Sequence, residues 1–181
     1  MTAHPGGPLG VLPYKLATLC DLRDRDGRVL LLRRIKPPNL GLCSPIGGKL
    51  DTVLGESPAQ SARREIAEEA EVDIPLERLH LQGLIAEQSY EGKGHWLLFY
   101  FRVLGPVEVA PREMAEGRLE WHRLEDIEGL PLPESDRRYI WPLVRETEPT
   151  LERPTPGFFM LHLDCRTDPM TGRVEQVAGP R

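Results

Sequence analysis

The chain has 181 residues, 40% of them apolar and 28% charged, with a net charge of −5. That length suffices for one domain with its own core and is short for two. The acidic balance argues against a non-specific binder of nucleic acid or of an anionic membrane, since both need a basic excess. It admits a small anionic substrate whose charge a divalent metal offsets locally.

Cys20, Cys43 and Cys165 are widely spaced and odd in number. They lack zinc-site spacing and read as reduced thiols, which points to a cytoplasmic protein. No stretch approaches the roughly 18 apolar residues that span a bilayer. Met1 to Pro13 shows no basic region followed by an apolar one, so no signal peptide is expected. His4, His80, His95, His122 and His162 are scattered and read as structural or surface residues.

In chain order, residues 1–13 are rich in Gly and Pro and read as a flexible arm. Residues 14–22 and 28–33 are expected strands, joined through Asp24-Arg25-Asp26-Gly27 as a hairpin. Residues 36–41 form a loop, residues 46–50 a short glycine-marked segment, and residues 51–56 a second loop. A helix is expected over 57–70. Ser57 can cap it, Pro58 suits its first position, and Gln60 completes a Ser-x-x-Gln capping box. Ala59, Ala62, Ile66 and Ala70 give it a narrow apolar stripe. Strands follow at 79–90 and 96–103, turned by Glu91-Gly92-Lys93-Gly94, then a short strand over 117–123 and a helical turn at 124–127. A second helix is expected over 135–145 and a last strand over 158–164, with a frayed polar tail at 166–181. The alternation implies an α+β fold, an α/β/α sandwich with a mixed β-sheet, occupying residues 14–165.

The chemistry concentrates in Arg64-Glu65-Ile66-Ala67-Glu68-Glu69. At ~100° per residue, Glu65, Glu68 and Glu69 share a sector roughly 100° wide beside the apolar stripe. Like charges four apart destabilise a helix, and acids in the last turn oppose the helix dipole. A solvated acidic face would explain three glutamates alone. A hard divalent cation such as magnesium would resolve both conflicts through carboxylate oxygens.

The upstream residues Gly47-Gly48-Lys49-Leu50-Asp51 and Gly55-Glu56-Ser57 stand at fixed distance from this helix. With them, residues 48–72 resemble the Nudix box. In that box a glycine is followed after five residues by glutamate, and after seven more by Arg-Glu, an apolar residue, any residue and Glu-Glu. Glu56 and Arg64 keep the second interval, and Arg64 to Glu69 match throughout. Two residues are added between Gly48 and Glu56, which a loop accepts at small entropic cost. The glycine that ends the box is Glu71 here, where a left-handed helix end would cost about 1 kcal/mol in a residue with a Cβ.

The resemblance implies a Mg2+-dependent pyrophosphohydrolase, with Mn2+ as a substitute. Glu65, Glu68, Glu69 and the Gly47 carbonyl would be metal ligands, supported by an Arg64–Glu56 ion pair. Glu69 is the first candidate for general base and Glu65 the second. Glu116 is the expected fourth acid, with Glu113 and Glu120 as substitutes. Weaker similarity over residues 15–165 extends to the MutT-homologue group of oxidised-purine nucleoside triphosphatases. It suggests Thr18, Arg34, Ser44, Lys49, Leu132 and Glu134 as substrate-binding positions. Ser44 stands where that group has an asparagine, and Leu132 where it has a stacking tryptophan. The implied substrate is a nucleoside di- or triphosphate or a related derivative, with oxidised purines such as 8-oxo-dGTP among them. ADP-ribose, dinucleotides and a non-catalytic nucleotide-sensing module are the alternatives. The expected partner is a small nucleotide, with no membrane or nucleic acid, in a monomer or homodimer.

Overall fold

The computed structural model describes residues 13–37 and 39–179. Apart from Pro13, the arm expected over 1–13 lies outside the described residues. The elements are β1 (Tyr14–Asp21), β2 (Val29–Arg34), β3 (Cys43–Ser44), α1 (Pro58–Ala70), β4 (Leu79–Tyr90), β5 (Gly94–Val103), β6 (Arg112–Met114), β7 (Gly117–His122), α2 (Trp141–Glu146), β8 (Phe158–Asp164) and β9 (Thr171–Ala178). A 3-10 turn covers Leu124–Gly129, and a wide π-helical turn, Asp136–Ile140, leads into α2.

The strands form two sheets. One has the order β1-β5-β4-β8-β9 and is mixed, with β1 parallel to β5 and β4 parallel to β8. The other, β3-β2-β7-β6, is antiparallel. Two apolar cores flank them. Ala62, Ile66 and Ala70 of α1 pack with Cys20, Leu30, Leu32, Phe101 and Val103. Trp141, Leu143 and Val144 of α2 pack with Val29, Leu31, Ile85, Tyr100 and Phe159. Successive side chains of β2 therefore enter opposite cores, and Val29 to Leu32 are all buried. A strand covered on both faces needs this unbroken apolar run. The α/β/α sandwich is the expected architecture, with its strands shared between two sheets.

Two expectations change. The hairpin over 14–33 does not form, since β1 and β2 belong to different sheets and meet only near the turn, at Arg23 and Val29. β1 is occupied along one edge by β5, while its other edge receives the glycine-marked segment at Cys20–Ile46 and Ala17–Lys49. The tail over 166–181 also contains a strand, β9, paired antiparallel with β8. Almost every β9 residue is exposed, so no apolar face marks it in the sequence, and the backbone ladder defines it.

One polar cluster ties β1 and β5 to the end of α2. Asp21 is fully buried; Arg23 binds both its oxygens, Arg102 binds Oδ2 at 3.0 Å, and the Tyr100 hydroxyl donates to Oδ2 at 3.2 Å. Glu148 bridges the two arginines at 2.8 and 3.0 Å. Burial alone would raise the Asp21 pKa, but the two guanidiniums outweigh it and hold the carboxyl at about 2. The native pKa is depressed, so the stabilisation is present above the ordinary carboxylate range near 4 and is lost as pH falls toward 2. Asp21→Asn leaves the two buried arginines with Glu148 as their one remaining carboxylate and should destabilise the fold by about 3 kcal/mol in urea unfolding at neutral pH; a loss below about 1 kcal/mol would refute this role for the cluster.

Candidate active site

The site begins with the way α1 is started and aimed. The Gln60 N–H donates to Ser57 Oγ at 3.2 Å, and the Ser57 N–H to Gln60 Oε1 at 2.9 Å, with Pro58 following. This capping box satisfies two free amides of the first turn. Ala62 and Ile66 sink into the core, which turns Glu65, Glu68 and Glu69 toward the Gly47-Gly48 backbone.

Gly47 is sterically required by the backbone beside it, and Gly48 runs close against a side chain. A Cβ at Gly47, whose φ is 146°, would lie 2.1 Å from the Thr18 carbonyl oxygen, and one at Gly48 would lie 2.2 Å from Glu65 Oε1. The segment is thus gripped between β1 and α1. Thr18 N–H donates to the Gly48 carbonyl and Cys20 N–H to that of Ile46, each at 2.8 Å; this ladder skips the Gly47 carbonyl. The Gly47 N–H donates to Glu69 Oε2 at 3.0 Å.

Arg64 locks the helix to the preceding loop. It holds both oxygens of Glu56 at 2.8 and 3.0 Å and reaches the Lys49 carbonyl at 3.1 Å. The Arg64 hydrogen bonds keep Glu56 below the usual carboxylate range. The added residues bulge outward: Asp51 Oδ1 accepts from the Val53 and Leu54 amides, while Asp51 and Glu56 close the loop base at 2.8 and 3.0 Å. Glu71 ends the helix in the left-handed region, at φ 57°. Arg112 compensates by binding the Glu69 carbonyl and the Glu71 carboxylate.

The helix acids border a cavity of about 570 Å³, which Glu116, Arg34, Lys49, Ser44 and Thr18 also line. Arg34 pairs with Glu116 at 3.2 Å. Thr18 Oγ1 is buried without a hydrogen-bond partner among the described residues. Burial raises the pKa of Glu65. Burial also raises that of Glu69, to about 7, with repulsion from Glu65 and Glu116 adding to the effect and the Gly47 amide opposing it. Such a shift marks a carboxylate cluster short of positive charge.

Four carboxylates and a carbonyl outside the ladder make the oxygen-donor set a hard divalent cation prefers. Among the described residues, no three acidic, histidine or cysteine side chains converge on one point as they stand. Arg64 draws Glu65 at 2.7 Å and Glu68 at 3.4 Å, and the Gly47 amide draws Glu69. The donors fit a cation in kind, and these side chains would have to exchange partners to converge on one.

Four expected positions lie elsewhere. Leu132 is buried in the α2 core, because the apolar side chain packs inward with Ile140 and Trp141. Glu134 borders a neighbouring hollow of about 260 Å³ and is held by Arg138 at 2.6 Å and the Met170 amide at 3.2 Å. The substitutes Glu113 and Glu120 pair with Arg118 outside the cavity. The far wall instead presents Glu87, Ser135 and Asp136, with Tyr90 and Trp96. Burial pushes Glu87 up to about 7, with help from Asp136, and pushes Asp136 up to about 7 as well. The alternation Ile85, Glu87 on a buried strand could have flagged Glu87. Asp136, beside a serine ahead of a helix, looks like a cap in sequence.

The NUDIX domain family model matches residues 13–144. The chain is 32% identical over 114 residues to the uncharacterized Nudix hydrolase YvcI of Bacillus subtilis (strain 168), covering 61% of this chain and 68% of that one. Its fold matches the mutator MutT protein from Bacillus halodurans with a TM-score of 0.69 at 23% identity, over 89% of this chain and 97% of the other. It also matches the NUDIX domain of Shewanella oneidensis NrtR, solved with ADP ribose, with a TM-score of 0.60 at 21% identity, over 79% and 92%. Among the described residues, no helix is long and apolar enough to cross a membrane. With most of its length under the family model and a sequence relative of the same kind, the chain belongs to the Nudix family of pyrophosphohydrolases.

Proposed function

We propose that this protein hydrolyses the diphosphate linkage of a nucleoside di- or triphosphate, or of a related nucleotide derivative, with Mg2+ as its working cation. The observation that carries this is the single cavity bordered by the helix glutamates, Glu116, Arg34 and Lys49. Glu65, Glu68, Glu69, Glu116 and the Gly47 carbonyl would hold the metal. A bound divalent ion would neutralise the diphosphate and acidify a water.

The chain's own groups supply the remainder. Glu69 is the general base of first choice: it is 7% exposed and borders the cavity among the other helix acids. Glu65 is second. Arg64 and Glu56 hold the helix in place, and Arg34 and Lys49 offer positive charge to the phosphates. A triphosphate would leave as nucleoside monophosphate and pyrophosphate. A sensing module without turnover is disfavoured because Glu56, Glu65, Glu68 and Glu69 are all present. Recognition of oxidised purines in the manner of the MutT-homologue group has little support, since Leu132 packs in the core and Glu134 lies outside the cavity. A larger substrate such as ADP-ribose is the second reading. It draws on the adjoining hollow, which shares Asn39, Tyr90, Pro133 and Ser135 with the main cavity.

Incubation with Mg2+ and a panel of nucleoside di- and triphosphates, oxidised purine nucleotides, ADP-ribose and dinucleotides should release a nucleotide product, with phosphate, pyrophosphate, ribose 5-phosphate or a second nucleotide as its counterpart, from at least one member. Chelation should abolish this release, and added Mg2+ or Mn2+ should restore it. A panel with no product overturns the proposal. Glu69→Gln should lower kcat by roughly 10²–10⁴-fold, the usual contribution of a general base; unchanged turnover removes Glu69 from that role.

The same substitution separates function from stability. A carboxyl whose native pKa is raised stabilises the protonated fold, and that contribution disappears as pH climbs from about 4.5 to about 7. At pH 8 the metal-free Glu69→Gln protein should therefore be more stable than the parent by about 1–3 kcal/mol, from the size of the shift. It should also show a smaller rise in Tm on adding Mg2+. A metal-free variant less stable than its parent would contradict the strain assigned to this glutamate.

A further inference from the structure

Glu116 reaches the cavity from a different element than the helix acids do. It sits in the tight turn between β6 and β7, where Met114 pairs with Gly117. β7 is anchored along β2, and the Ile35 N–H donates to the Glu116 carbonyl at 2.9 Å. β6 is the edge strand of that sheet and stands beside the end of α1. Glu116 repels Glu69, so the turn and the helix would draw apart unless something ties them.

Arg112 on β6 supplies such a tie. Its guanidinium donates to the Glu69 carbonyl and pairs with the Glu71 carboxylate, while Arg112 itself does not border the cavity. α1 has no basic residue in its own last turn, so the positive charge that suits a helix C-terminus comes from another strand. The two contacts are unequal. The Glu71 side chain is 74% exposed, and an ion pair in open solvent contributes little. The carbonyl contact is part-buried and fixes the backbone of the residue that carries the Glu69 carboxylate.

Two further observations point past a repair of the helix end. Arg112 Nε is buried without a hydrogen-bond partner among the described residues. An unpaired buried donor costs stability, so stability alone does not account for this side chain. Arg112 also lies four residues before Glu116, with one tight turn between them. A constraint on the arginine therefore passes to the acid with little slack.

We propose that Arg112 is a positioning residue, tying the Glu116 turn to the Glu69 end of α1 so that acids of two elements close on one cation; this rests on reading Glu65, Glu68, Glu69 and Glu116 as the acids that hold it. Groups that orient metal ligands without touching the metal govern affinity in this way. The rival role is narrower: Arg112 would only mend a helix end that carries Glu71 in place of glycine. Glu71→Gly tells the two apart, because glycine relaxes the left-handed end and leaves the tie to β6 untouched.

The probe is Mn2+ alone, with the free ion counted by its EPR signal, and Mg2+ serves for turnover. Arg112→Met keeps the stem and removes the donors. It should weaken Mn2+ binding by about tenfold or more, at a temperature where melting curves show the variant folded. At fixed low Mg2+ its kcat should fall by a similar factor and recover in excess Mg2+, with KM for the nucleotide within about twofold of the parent. Glu71→Gly added to Arg112→Met should restore Tm but not Mn2+ affinity. With Glu116→Gln in place, Arg112→Met should weaken Mn2+ binding by less than about twofold further, since the acid it positions is gone. Should Arg112→Met not fold, Arg112→Lys replaces it, keeping the charge but not the two-point reach. Mn2+ affinity indifferent to Arg112, restored by Glu71→Gly, or lost in full again beside Glu116→Gln overturns the tie. Any of these together with nucleotide turnover leaves the hydrolase reading standing. Mn2+ binding that depends on Arg112 as expected, with no nucleotide cleaved, supports the tie and overturns the hydrolase reading. Neither binding nor cleavage overturns both.

Discussion

At Gly47 the backbone passes β1 with no room for a Cβ, which would strike the Thr18 carbonyl, and at Gly48 it runs close against the Glu65 carboxylate of α1. That double approach fixes where the helix acids sit. It puts the Glu69 carboxylate on the Gly47 amide and holds Glu65 against Gly48, so two negative groups are buried beside one stretch of backbone. Their repulsion and desolvation work against folding. The Arg64–Glu56 pair resists the resulting push on α1, since a two-point guanidinium–carboxylate contact fixes both distance and orientation. A cation at the acids would remove the conflict that the metal-free fold must otherwise carry.

The same helix shows how a local fault is repaired at a distance. Glycine is the residue best suited to a left-handed helix end, yet Glu71 adopts that conformation with a Cβ. Arg112, from β6, binds the Glu69 carbonyl left open in the last turn and the Glu71 side chain. A three-residue strand too short to notice in the sequence thus secures the end of the helix that bears Glu69.

What the sequence disclosed follows from which interactions are local. The capping box, Pro58 and the Ala62–Ile66–Ala70 stripe are all contained within α1, so its bounds were legible to within a residue. The Arg64–Glu56 pairing was legible because a motif with fixed spacing encodes it. The hairpin expected between β1 and β2 failed because turn chemistry at Asp24–Gly27 says nothing about partners, and β1 takes β5 and the glycine segment instead. Strand β9 was hidden because the hydrophobic pattern reports burial, and this strand has none. Leu132 and Glu134 were placed by likeness to a group whose base-reading residues differ here. Glu87 and Asp136 come together across 49 residues of chain, through the packing of the turn before α2 on the sheet, which no spacing rule anticipates.

Four buried acids in this fold separate into two kinds, and the separation is itself an argument about function. Asp21 is structural: two guanidiniums and a phenol surround it, and its pKa falls to about 2. Glu69, Glu87 and Asp136 are nearly as buried, lack a closely held cation, and are pushed to about 7. Selection for stability alone would pair such groups or replace them with apolar residues, because an unpaired buried acid is among the most destabilising features a core can hold. All three of the unpaired acids border one cavity, and the paired one does not. The strain is therefore gathered along one cavity, where a ligand can relieve it.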